Sequence, residues 1–407
     1  MTCRGCGGAN CRTFLDLGFS PPSNAYLKLE DLEKPEKYFP LKLRVCEDCW
    51  LLQTEDYAEA SDLFSEEYAY FSSISQSWLK HAEQYCIDII QELGLTRQSM
   101  VVEIASNDGY LLKNFLNARI PCLGVEPTKS TASAAKKLGI PVIEEFFSKT
   151  LGEEIAVQYG KADLIAGNNV YAHVPDINDF TRGLKALLKP NGTITLEFPH
   201  ALELIMQTQF DTIYHEHFSY LSLHSAIALF EASELRIWKV ELLSTHGGSL
   251  RVFGCHMSDS RPTQDSVAIT LDAEKAGGLR EISTYLHFQS EVNRIKDSLL
   301  IFLIEQKKNG TRLAAYGAAA KGNTLLNYAG VRPDLIPYVA DASPAKQNTF
   351  MAGSHIPIVS PENLIEHSPD VVLILPWNIS REIVDQLKPH LPKTVFVVAV
   401  PKLQYVV

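Results

Sequence analysis

One stretch of the 407-residue chain restricts its possible folds more than any other. Residues 100–104 are apolar apart from Glu103 and predict a buried parallel strand, which the polar turn 105–109 joins to a helix. A second apolar run follows and ends in Glu126, about 20 positions further on. A strand, a turn, a helix and an acidic strand end at this spacing are typical of nucleotide-binding α/β sheets. The sequence therefore predicts a doubly wound, Rossmann-like sheet.

The turn of this motif indicates the kind of ligand. Binding of NAD calls for Gly-x-Gly-x-x-Gly because the pyrophosphate approaches the backbone closely, but these positions are Ala105, Asn107 and Tyr110. A ligand without phosphates, such as S-adenosylmethionine, does not need these glycines, and Glu126 can accept hydrogen bonds from both ribose hydroxyls. The alternative is a purely structural βαβ unit. The residues predicted to bind the cofactor are Glu103, Ala105, Asn107, Asp108, Gly109, Glu126, Asn168 and Asn169.

Further strand-and-loop units follow along the chain. Residues 162–168 predict a strand that runs into a polar loop containing His173, then 176–188 predict a helix and 193–199 another strand. Loops at the carboxyl ends of parallel strands converge on one crevice. We therefore expect His173 in the site, although a single histidine in such a loop is often structural.

Two Cys-x-x-Cys pairs indicate a separate N-terminal module. One pair is Cys3 and Cys6, and the other is Cys46 and Cys49. Four thiolates favour a closed, tetrahedral structural Zn²⁺ site, which leaves no open position for catalysis. The separation of about 40 residues is longer than the common spacing and requires an extended excursion of the chain. Cys11 has no partner at this spacing and is interpreted as a spare thiol or a substitute ligand.

The segment 211–220 concentrates the chemically reactive side chains, reading Asp-Thr-Ile-Tyr-His-Glu-His-Phe-Ser-Tyr. Histidine titrates near neutral pH and can take a proton at physiological pH. In an extended segment, alternation predicts His215 and His217 on one face and Tyr214 and Glu216 on the other. A zinc ligand set or a polar surface strand is the alternative interpretation of the His-x-His pair.

The last hundred residues predict a second, smaller α/β domain, because four strand-like runs between 312 and 400 alternate with helix candidates. Small residues at the first strand-to-helix turn allow the backbone to approach a phosphate, and a lysine there supplies a cation. A Rossmann-like cover without a ligand is the alternative. The candidate substrate-binding residues are Gly317, Lys321 and Asn323.

Charge and hydropathy oppose several classes of partner. A formal net charge of −11 argues against a nucleic-acid or anionic-membrane surface. No apolar run reaches membrane-spanning length, and the N-terminus has no signal-peptide core. Paired cysteines suit a metal in a reducing compartment better than disulfides. We therefore expect a cytoplasmic protein without nucleic-acid or membrane partners, while its oligomeric state stays open.

Four motifs together resemble the sugar C-methyltransferases, which act on nucleotide-linked keto-deoxysugars. The motifs are Glu-Ile-Ala-Ser-Asn-Asp-Gly-Tyr-Leu at 103–111, Asn-Asn-Val-Tyr-Ala-His-Val-Pro-Asp at 168–176, Tyr-His-Glu-His-Phe-Ser-Tyr at 214–220 and Thr-His-Gly-Gly-Ser-Leu-Arg-Val-Phe at 245–253. The cysteine pairs match that family's zinc-binding domain, and the C-terminal region matches its third domain. The resemblance implies a class I methyltransferase sheet, S-adenosylmethionine, Zn²⁺ and methylation of a nucleotide-diphosphate-linked 4-keto-deoxysugar next to the ketone, at C-3.

The resemblance also implies roles for individual side chains. It leaves open whether His217 or His173 is the base, although the histidine that closes the Tyr-x-Glu-His group is the one expected. A tyrosine ahead of the first helix would close over the cofactor. The implied catalytic residues are the base His217, Tyr214 and Glu216 as positioning residues, His173 beside the keto sugar, and Tyr68 over the cofactor with Tyr70 as its competitor.

The predicted organisation has four segments: 1–58 binds zinc, 59–258 is the methyltransferase domain, 259–310 is a helical linker, and 311–407 binds the nucleotide-sugar. Two alternatives belong to other functional classes. A zinc-ribbon protein that binds or modifies RNA is opposed by the acidic charge and by the lack of basic aromatic stretches. A nicotinamide-dependent nucleotide-sugar oxidoreductase is opposed by the missing glycines of the phosphate-binding turn.

Overall fold

Three β-sheets organise residues 2–57 and 71–406, the part of the chain that the computed structural model describes. Tyr68 and Tyr70, predicted to close over the cofactor, lie outside these ranges. Within them, no helix combines the length and the apolar character needed to cross a membrane.

The strands alternate with helices along the chain, so the elements are numbered in chain order. The strands are β1 Cys11–Ser20, β2 Phe39–Cys46, β3 Leu52–Thr54, β4 Val101–Ile104, β5 Cys122–Val125, β6 Val142–Ile143, β7 Ala162–Asn168, β8 Leu188–Pro199, β9 Ser219–Tyr220, β10 Leu235–Leu243, β11 Ser249–His256, β12 Leu313–Tyr316, β13 Val339–Ala340, β14 Ile358–Val359, β15 Val371–Ile374, β16 Val395–Val398 and β17 Gln404–Val406.

The α-helices are α1 Gln76–Leu93, α2 Leu112–Asn117, α3 Lys129–Lys137, α4 Lys149–Gln158, α5 Ile177–Leu187, α6 Ala201–Met206, α7 Leu223–Glu231, α8 Asp265–Ala276, α9 Ile282–Leu286, α10 Phe288–Lys308, α11 Ala320–Tyr328, α12 Pro361–His367 and α13 Ser380–Leu387. Short 3₁₀ turns lie at Leu29–Asp31, Ser72–Ile74, Tyr171–His173, Phe210–Thr212, Thr245–Gly247 and Trp377–Ile379.

The central sheet has the order β10-β11-β8-β7-β4-β5-β6. Its strands are parallel except β11, which is antiparallel to both neighbours. This is the strand order of class I methyltransferases, so the predicted fold class is confirmed. The order reverses between β4 and β7, and ligands of open α/β sheets bind beyond the strand ends at such a point.

The C-terminal sheet has the order β14-β13-β12-β15-β16-β17, in which only the edge strand β17 is antiparallel. Its β12, β15 and β16 are apolar and buried almost throughout, as expected for strands covered by helices on both faces. The predicted second α/β domain is therefore present. Its turn from β12 into α11 faces the ends of the central strands.

The N-terminal sheet has the order β1-β2-β3-β9, and its last strand comes from the central part of the chain. Leu52 and Gln53 of β3 pair with Tyr220 and Ser219 of β9, directly after the histidine-rich segment. The N-terminal module is therefore joined to the candidate catalytic segment by backbone hydrogen bonds.

The segment predicted as a helical linker contains α8, α9 and α10, with the expected break at Gly277 and Gly278. Its first helix packs against the central sheet through Val267, whereas Leu299 of α10 belongs to a core shared with the N-terminal and C-terminal sheets. Buried Leu43 and Leu326 belong to that same core. Shared apolar packing therefore sets how the sheets face one another.

Candidate active site

A cavity of about 610 Å³ lies where the carboxyl ends of the central strands face the C-terminal sheet. All three modules contribute to its wall: Asn24 from the N-terminal module, Asn107 and Glu126 from the central sheet, and Lys321 from the C-terminal domain. Its size falls within the usual range for small-molecule sites.

Most of the predicted site residues line this one cavity, and the others lie outside its lining. Those that line it are Ala105, Asn107, Glu126, Asn168, Asn169, His173, Tyr214, Glu216, His217 and Lys321. Those that do not line it are Glu103, Asp108, Gly109, Gly317 and Asn323.

The central residues that miss the cavity support its floor. Glu103 is fully buried, and burial together with the nearby Glu126 carboxylate raises its pKa. The Asp108 carboxylate accepts the Ser73 N–H at 3.1 Å. Gly109 has a φ of 81°, and a side chain there would overlap Ile140. These three residues therefore support the floor of the cavity, and their direct contact with the cofactor stays a prediction.

Two predicted residues of the C-terminal domain are placed in the same way. Gly317 has a φ of 89°, and a side chain there would overlap Pro376. Asn323 is fully buried, and its Oδ1 accepts a hydrogen bond from Asn327 Nδ2 at 3.2 Å. Both residues shape the β12–α11 turn without reaching the cavity.

Glu126, at the end of β5, is held in one orientation by the backbone. Its Oε2 accepts the N–H of Asn107 and its Oε1 accepts the N–H of Thr128, both at 2.9 Å. A carboxylate oxygen has more than one acceptor site, so both oxygens can also accept from ligand hydroxyls. The fixed acid and the absence of phosphate-binding glycines fit the nucleoside part of S-adenosylmethionine. Sequence reasoning missed the neighbouring Phe146, which lines the cavity and is 53% exposed.

Backbone strain is concentrated at the cavity. Ala105, Asn107, Asn169 and His246 all line it and have φ values of 57°, 49°, 53° and 54°. A left-handed residue other than glycine costs about 1–3 kcal/mol and persists where the surroundings enforce it, often at functional sites. Four such residues around one cavity therefore support a functional site.

The segment around His217 is a turn, which corrects the extended geometry predicted from alternation. The His217 N–H donates to the Tyr214 carbonyl at 2.9 Å, so Tyr214, Glu216 and His217 all reach the cavity. His215 lies elsewhere, with its Nε2 3.3 Å from the Pro40 carbonyl. A turn reverses the chain, so the two-residue period of a strand does not apply.

The hydrogen bonds of His217 define its tautomer. Its Nδ1 lies 2.9 Å from the Thr212 carbonyl oxygen, which can only accept, so Nδ1 carries the proton. Its Nε2 therefore has a free electron pair and accepts the Tyr214 hydroxyl at 2.8 Å. Burial, followed by the neighbouring His173, lowers the pKa of His217. A neutral imidazole with this tautomer is prepared to accept a proton at Nε2.

Two further histidines surround this base. The His173 ring packs edge-on against the His217 ring, with centroids 4.5 Å apart, and burial lowers the pKa of His173 to about 4. His246 Nε2 lies 3.0 Å from Asn169 Nδ2, and burial also lowers its pKa to about 4. His246 was missed as a site residue, although it lies in the quoted motif 245–253. All three rings are therefore neutral at pH 7.

Two lysines of the C-terminal domain line the opposite wall. Lys321 Nζ lies 3.3 Å from the His246 carbonyl and 3.2 Å from Asn378 Oδ1, and the buried Asp211 carboxylate favours its charged form. Lys346, which sequence reasoning missed, donates to the Ala318 carbonyl at 2.9 Å. Burial lowers the pKa of Lys321, so an anionic ligand on this wall would favour its charged form.

The predicted zinc ligands come together outside the cavity. The four Sγ atoms of Cys3, Cys6, Cys46 and Cys49 all lie within 4.8 Å of one another. The Cys3–Cys49 and Cys6–Cys46 pairs are each 3.6 Å apart, close to the roughly 3.8 Å expected for thiolates around one tetrahedral zinc. Cys11 lies outside this group and accepts a hydrogen bond from Gln53. The donor set and spacing fit structural zinc.

Comparison with known proteins gives three family matches in chain order. Residues 3–64 match the model described as "Putative zinc binding domain", 78–240 match "Methyltransferase domain" and 244–401 match "C-methyltransferase C-terminal domain". Among solved structures, the YcgJ protein from Bacillus subtilis is 13% identical and covers 44% of this chain and 100% of its own, with a TM-score of 0.36. Magnesium protoporphyrin IX methyltransferase from Synechocystis, solved with bound SAM, is also 13% identical and covers 43% and 79%, with a TM-score of 0.33.

A match over nearly the whole chain is found with the C-methyltransferase NovU from Streptomyces niveus. The two are 36% identical over 401 residues, which is 98% of this chain and 95% of NovU. The three matched domains and this full-length similarity agree with the strand order of the central sheet. The chain therefore belongs to the family of S-adenosylmethionine-dependent C-methyltransferases.

Proposed function

We propose that the protein methylates C-3 of a nucleotide-diphosphate-linked 4-keto-deoxysugar. One observation carries this proposal: the neutral His217 lies in the same cavity as Glu126 on the cofactor side and Lys321 on the C-terminal side. A base, an acid suited to ribose and a buried cation are the groups that such a reaction requires. The acidic net charge of −11 favours a small-molecule substrate over nucleic acid or a membrane surface.

The proposed chemistry starts with the loss of a proton, because carbon next to a ketone becomes nucleophilic only as an enolate. His217 Nε2 takes the proton that leaves this carbon, and the electron pair moves onto the ketone oxygen. Tyr214 then turns its hydroxyl from Nε2 towards that oxygen and stabilises the developing charge. When bound, S-adenosylmethionine supplies an electrophilic methyl group on a positively charged sulfur.

On the cofactor side, Glu126 would accept hydrogen bonds from the ribose hydroxyls of S-adenosylmethionine. Phe146 presents a half-exposed ring after β6, against which an adenine can stack. Asn168 and Asn169, at the end of β7, would contact the methionine part. They lie on the other side of the point between β4 and β7 where the strand order reverses. The zinc ion would stay remote from the reaction, held by the four cysteines.

On the substrate side, Lys321 and Lys346 would face the diphosphate. The nine-residue helix α11 begins at Ala320, and its first residues line the cavity, so its free N–H groups add positive potential there. A diphosphate at this wall would place the attached sugar towards the histidines.

Solvent exchange tests this proposal without methyl transfer. S-adenosylhomocysteine fills the cofactor site but carries no methyl group, so the proton next to the ketone should exchange with deuterated water. Thymidine-, guanosine- and cytidine-diphosphate-linked 4-keto-deoxysugars are the substrates to screen. Exchange should fall by roughly 10²–10⁴-fold in His217→Ala and His217→Gln, because neither variant has an imidazole base. His215→Ala is the matched control and should exchange like the parent.

Each other outcome changes a specific part of the proposal. If His217→Ala exchanges the proton normally and His173→Ala does not, His173 is the base and His217 lies beside the keto sugar. Normal exchange in both variants would identify Glu216 or a tyrosinate as the base. If the parent protein exchanges the proton next to the ketone in none of these sugars, the assignment of the substrate class is wrong.

A further inference from the structure

A connector of the zinc-binding module, residues Pro21–Tyr26, enters the cavity. Asn24 lines the cavity, and its Nδ2 donates to Glu216 Oε1 at 2.7 Å. Tyr26 continues across to the C-terminal domain, where its hydroxyl donates to the Ala318 carbonyl at 2.6 Å. One short segment therefore touches both the catalytic loop and the substrate wall.

The Asn24–Glu216 contact is well suited to fix a charge. The carboxylate can only accept, so the amide must present its N–H₂ group to Glu216. Glu216 is 1% exposed, so little water competes for this hydrogen bond. A hydrogen bond to an ionised group in such surroundings both stabilises the charge and holds the side chain in one orientation.

We propose that Asn24 is a positioning residue of the active site and acts through Glu216. This inference depends on the proposed function, in which Glu216 positions the substrate and the base. The zinc-binding module then has a second role besides folding the N-terminus. It contributes the Asn24 amide, which holds the Glu216 carboxylate in place. Neither the family descriptions nor sequence spacing assigns such a role to the segment between the two cysteine pairs.

Turnover measurements separate positioning from general stability. Asn24→Ala should lower kcat by about 10- to 100-fold, the range for a hydrogen bond to a charged group, and leave the KM for S-adenosylmethionine unchanged. Ser23→Ala is the matched control, because Ser23 neighbours Asn24 but contacts Thr324 at 3.4 Å instead of Glu216. Its kcat should stay much closer to that of the parent than the kcat of Asn24→Ala does. Zinc content should be unchanged in both variants, and kcat is compared at a temperature where both are folded, because loss of a buried hydrogen bond also lowers the unfolding midpoint.

A second test of the Asn24–Glu216 contact uses its dependence on pH. Asn24→Asp places two carboxylates in contact, so they should share a proton, and activity should recover as the pH falls. Combining Asn24→Asp with Glu216→Gln exchanges donor and acceptor. At pH 8 this double variant should regain the unfolding midpoint lost in Asn24→Asp but not the activity, because no carboxylate remains at position 216.

The outcomes distinguish this inference from the proposed function. If the parent turns over a keto sugar and Asn24→Ala matches Ser23→Ala in kcat, Asn24 has no positioning role. A pH-independent loss in Asn24→Asp would also contradict it, since a merely structural defect does not titrate. If the parent turns over none of the nucleotide-linked keto sugars, the proposed function fails, and this inference fails with it.

Discussion

The imidazole of His217 is oriented by a single backbone carbonyl. Because the Thr212 oxygen accepts the Nδ1 proton, Nε2 is left as the basic atom and meets the Tyr214 hydroxyl. Burial keeps the ring neutral, which is the form a general base needs. At the scale of single residues, the site therefore depends on hydrogen bonds that fix a protonation state before substrate arrives.

The pH dependence of catalysis should reflect this lowered pKa. The base is active when neutral, and the pKa of His217 lies well below 6.5, so activity should persist to lower pH than for an ordinary histidine. We expect the acidic midpoint of log kcat/KM to fall below pH 6.5. Rates measured from pH 5 to 8 check this, and a midpoint at or above 6.5 would contradict the assignment of a buried neutral base.

Glu126 should dominate recognition of the cofactor ribose. Glu126→Ala should weaken binding of S-adenosylhomocysteine by about 1.5–3 kcal/mol, the range for hydrogen bonds to a charged group. Isothermal titration measures this directly. Glu154→Ala removes an exposed helical carboxylate away from the cavity and serves as the control. Equal affinity of Glu126→Ala and the parent would show that the ribose binds elsewhere.

At the scale of elements, the first sheet is too small to stabilise itself. Its order β1-β2-β3-β9 depends on a strand borrowed from the central chain, and its turns carry the four clustered thiols. A structural zinc site supplies folding free energy directly to such a module. The cysteine pairs and β9 thus both anchor this sheet, because Leu52 of β3 pairs with Val45, next to Cys46, and with Tyr220 of β9.

Removal of one zinc ligand should damage folding more than chemistry. We expect about one zinc per chain in the parent and a large loss of zinc and of N-terminal stability in Cys46→Ser. Metal analysis and thermal unfolding measure both. Cys11→Ser is the control and should retain zinc, because Cys11 lies outside the cluster. A metal-free protein that unfolds at the parent's midpoint would rule out the structural zinc site.

The turn Thr245–Gly247 of the methyltransferase domain packs against the C-terminal domain. Gly247 has a φ of 88°, and a side chain there would overlap the ring of Trp377. The Trp377 ring also donates its Nε1–H to Asp211 Oδ2 at 2.7 Å. The rim of the cavity therefore depends on close contact between backbone and indole, which only glycine permits at this position.

Gly247→Ala should destabilise the protein by about 2–5 kcal/mol, because it combines the cost of a left-handed φ with that of overlap. Gly310→Ala is the matched control, since Gly310 has a φ of 69° but open space around it. It should cost only the backbone penalty of about 1–2 kcal/mol. Urea unfolding of both variants measures the difference, and equal losses would show that the domains do not pack closely at this rim.

On the scale of the whole molecule, buried neutral histidines couple folding to pH. Burial lowers the pKa values of His173 and His246 to about 4 and lowers that of His217 as well. The unfolded chain, with histidine pKa values of about 6.5, binds more protons than the folded chain between about pH 6.5 and 4. Stability is therefore complete above pH 6.5 and is lost as the pH falls through this window.

We expect the free energy of unfolding to fall from pH 6.5 to 4.5 with a slope of up to about 1.4 kcal/mol per pH unit for each histidine. Asp211 opposes this trend, because burial raises its pKa to about 6 and it gains protons on folding. His246→Gln should make the slope shallower. Urea unfolding at several pH values tests this, and an unfolding free energy that rises towards acid would contradict it.

Much of the architecture could be predicted because its signals are local. Apolar runs bounded by turns marked the parallel strands, and the acid at the end of β5 and the two cysteine pairs stood at diagnostic spacings. Such features depend on residues that are close in the sequence, so they can be recognised without knowledge of the fold. The central and C-terminal sheets, the gathered cysteines and Glu126 on the cavity wall follow from them.

Contacts distant in sequence decided the rest. The approach of Asn24 to Glu216 and the placement of Lys346 on the cavity wall depend on packing between modules. The sequence by itself determined which side chains could do the chemistry, because residue type and local spacing set proton affinity and strand or helix preference. Only the tertiary structure decided which of them share a cavity, because burial and hydrogen bonding across long separations orient each group.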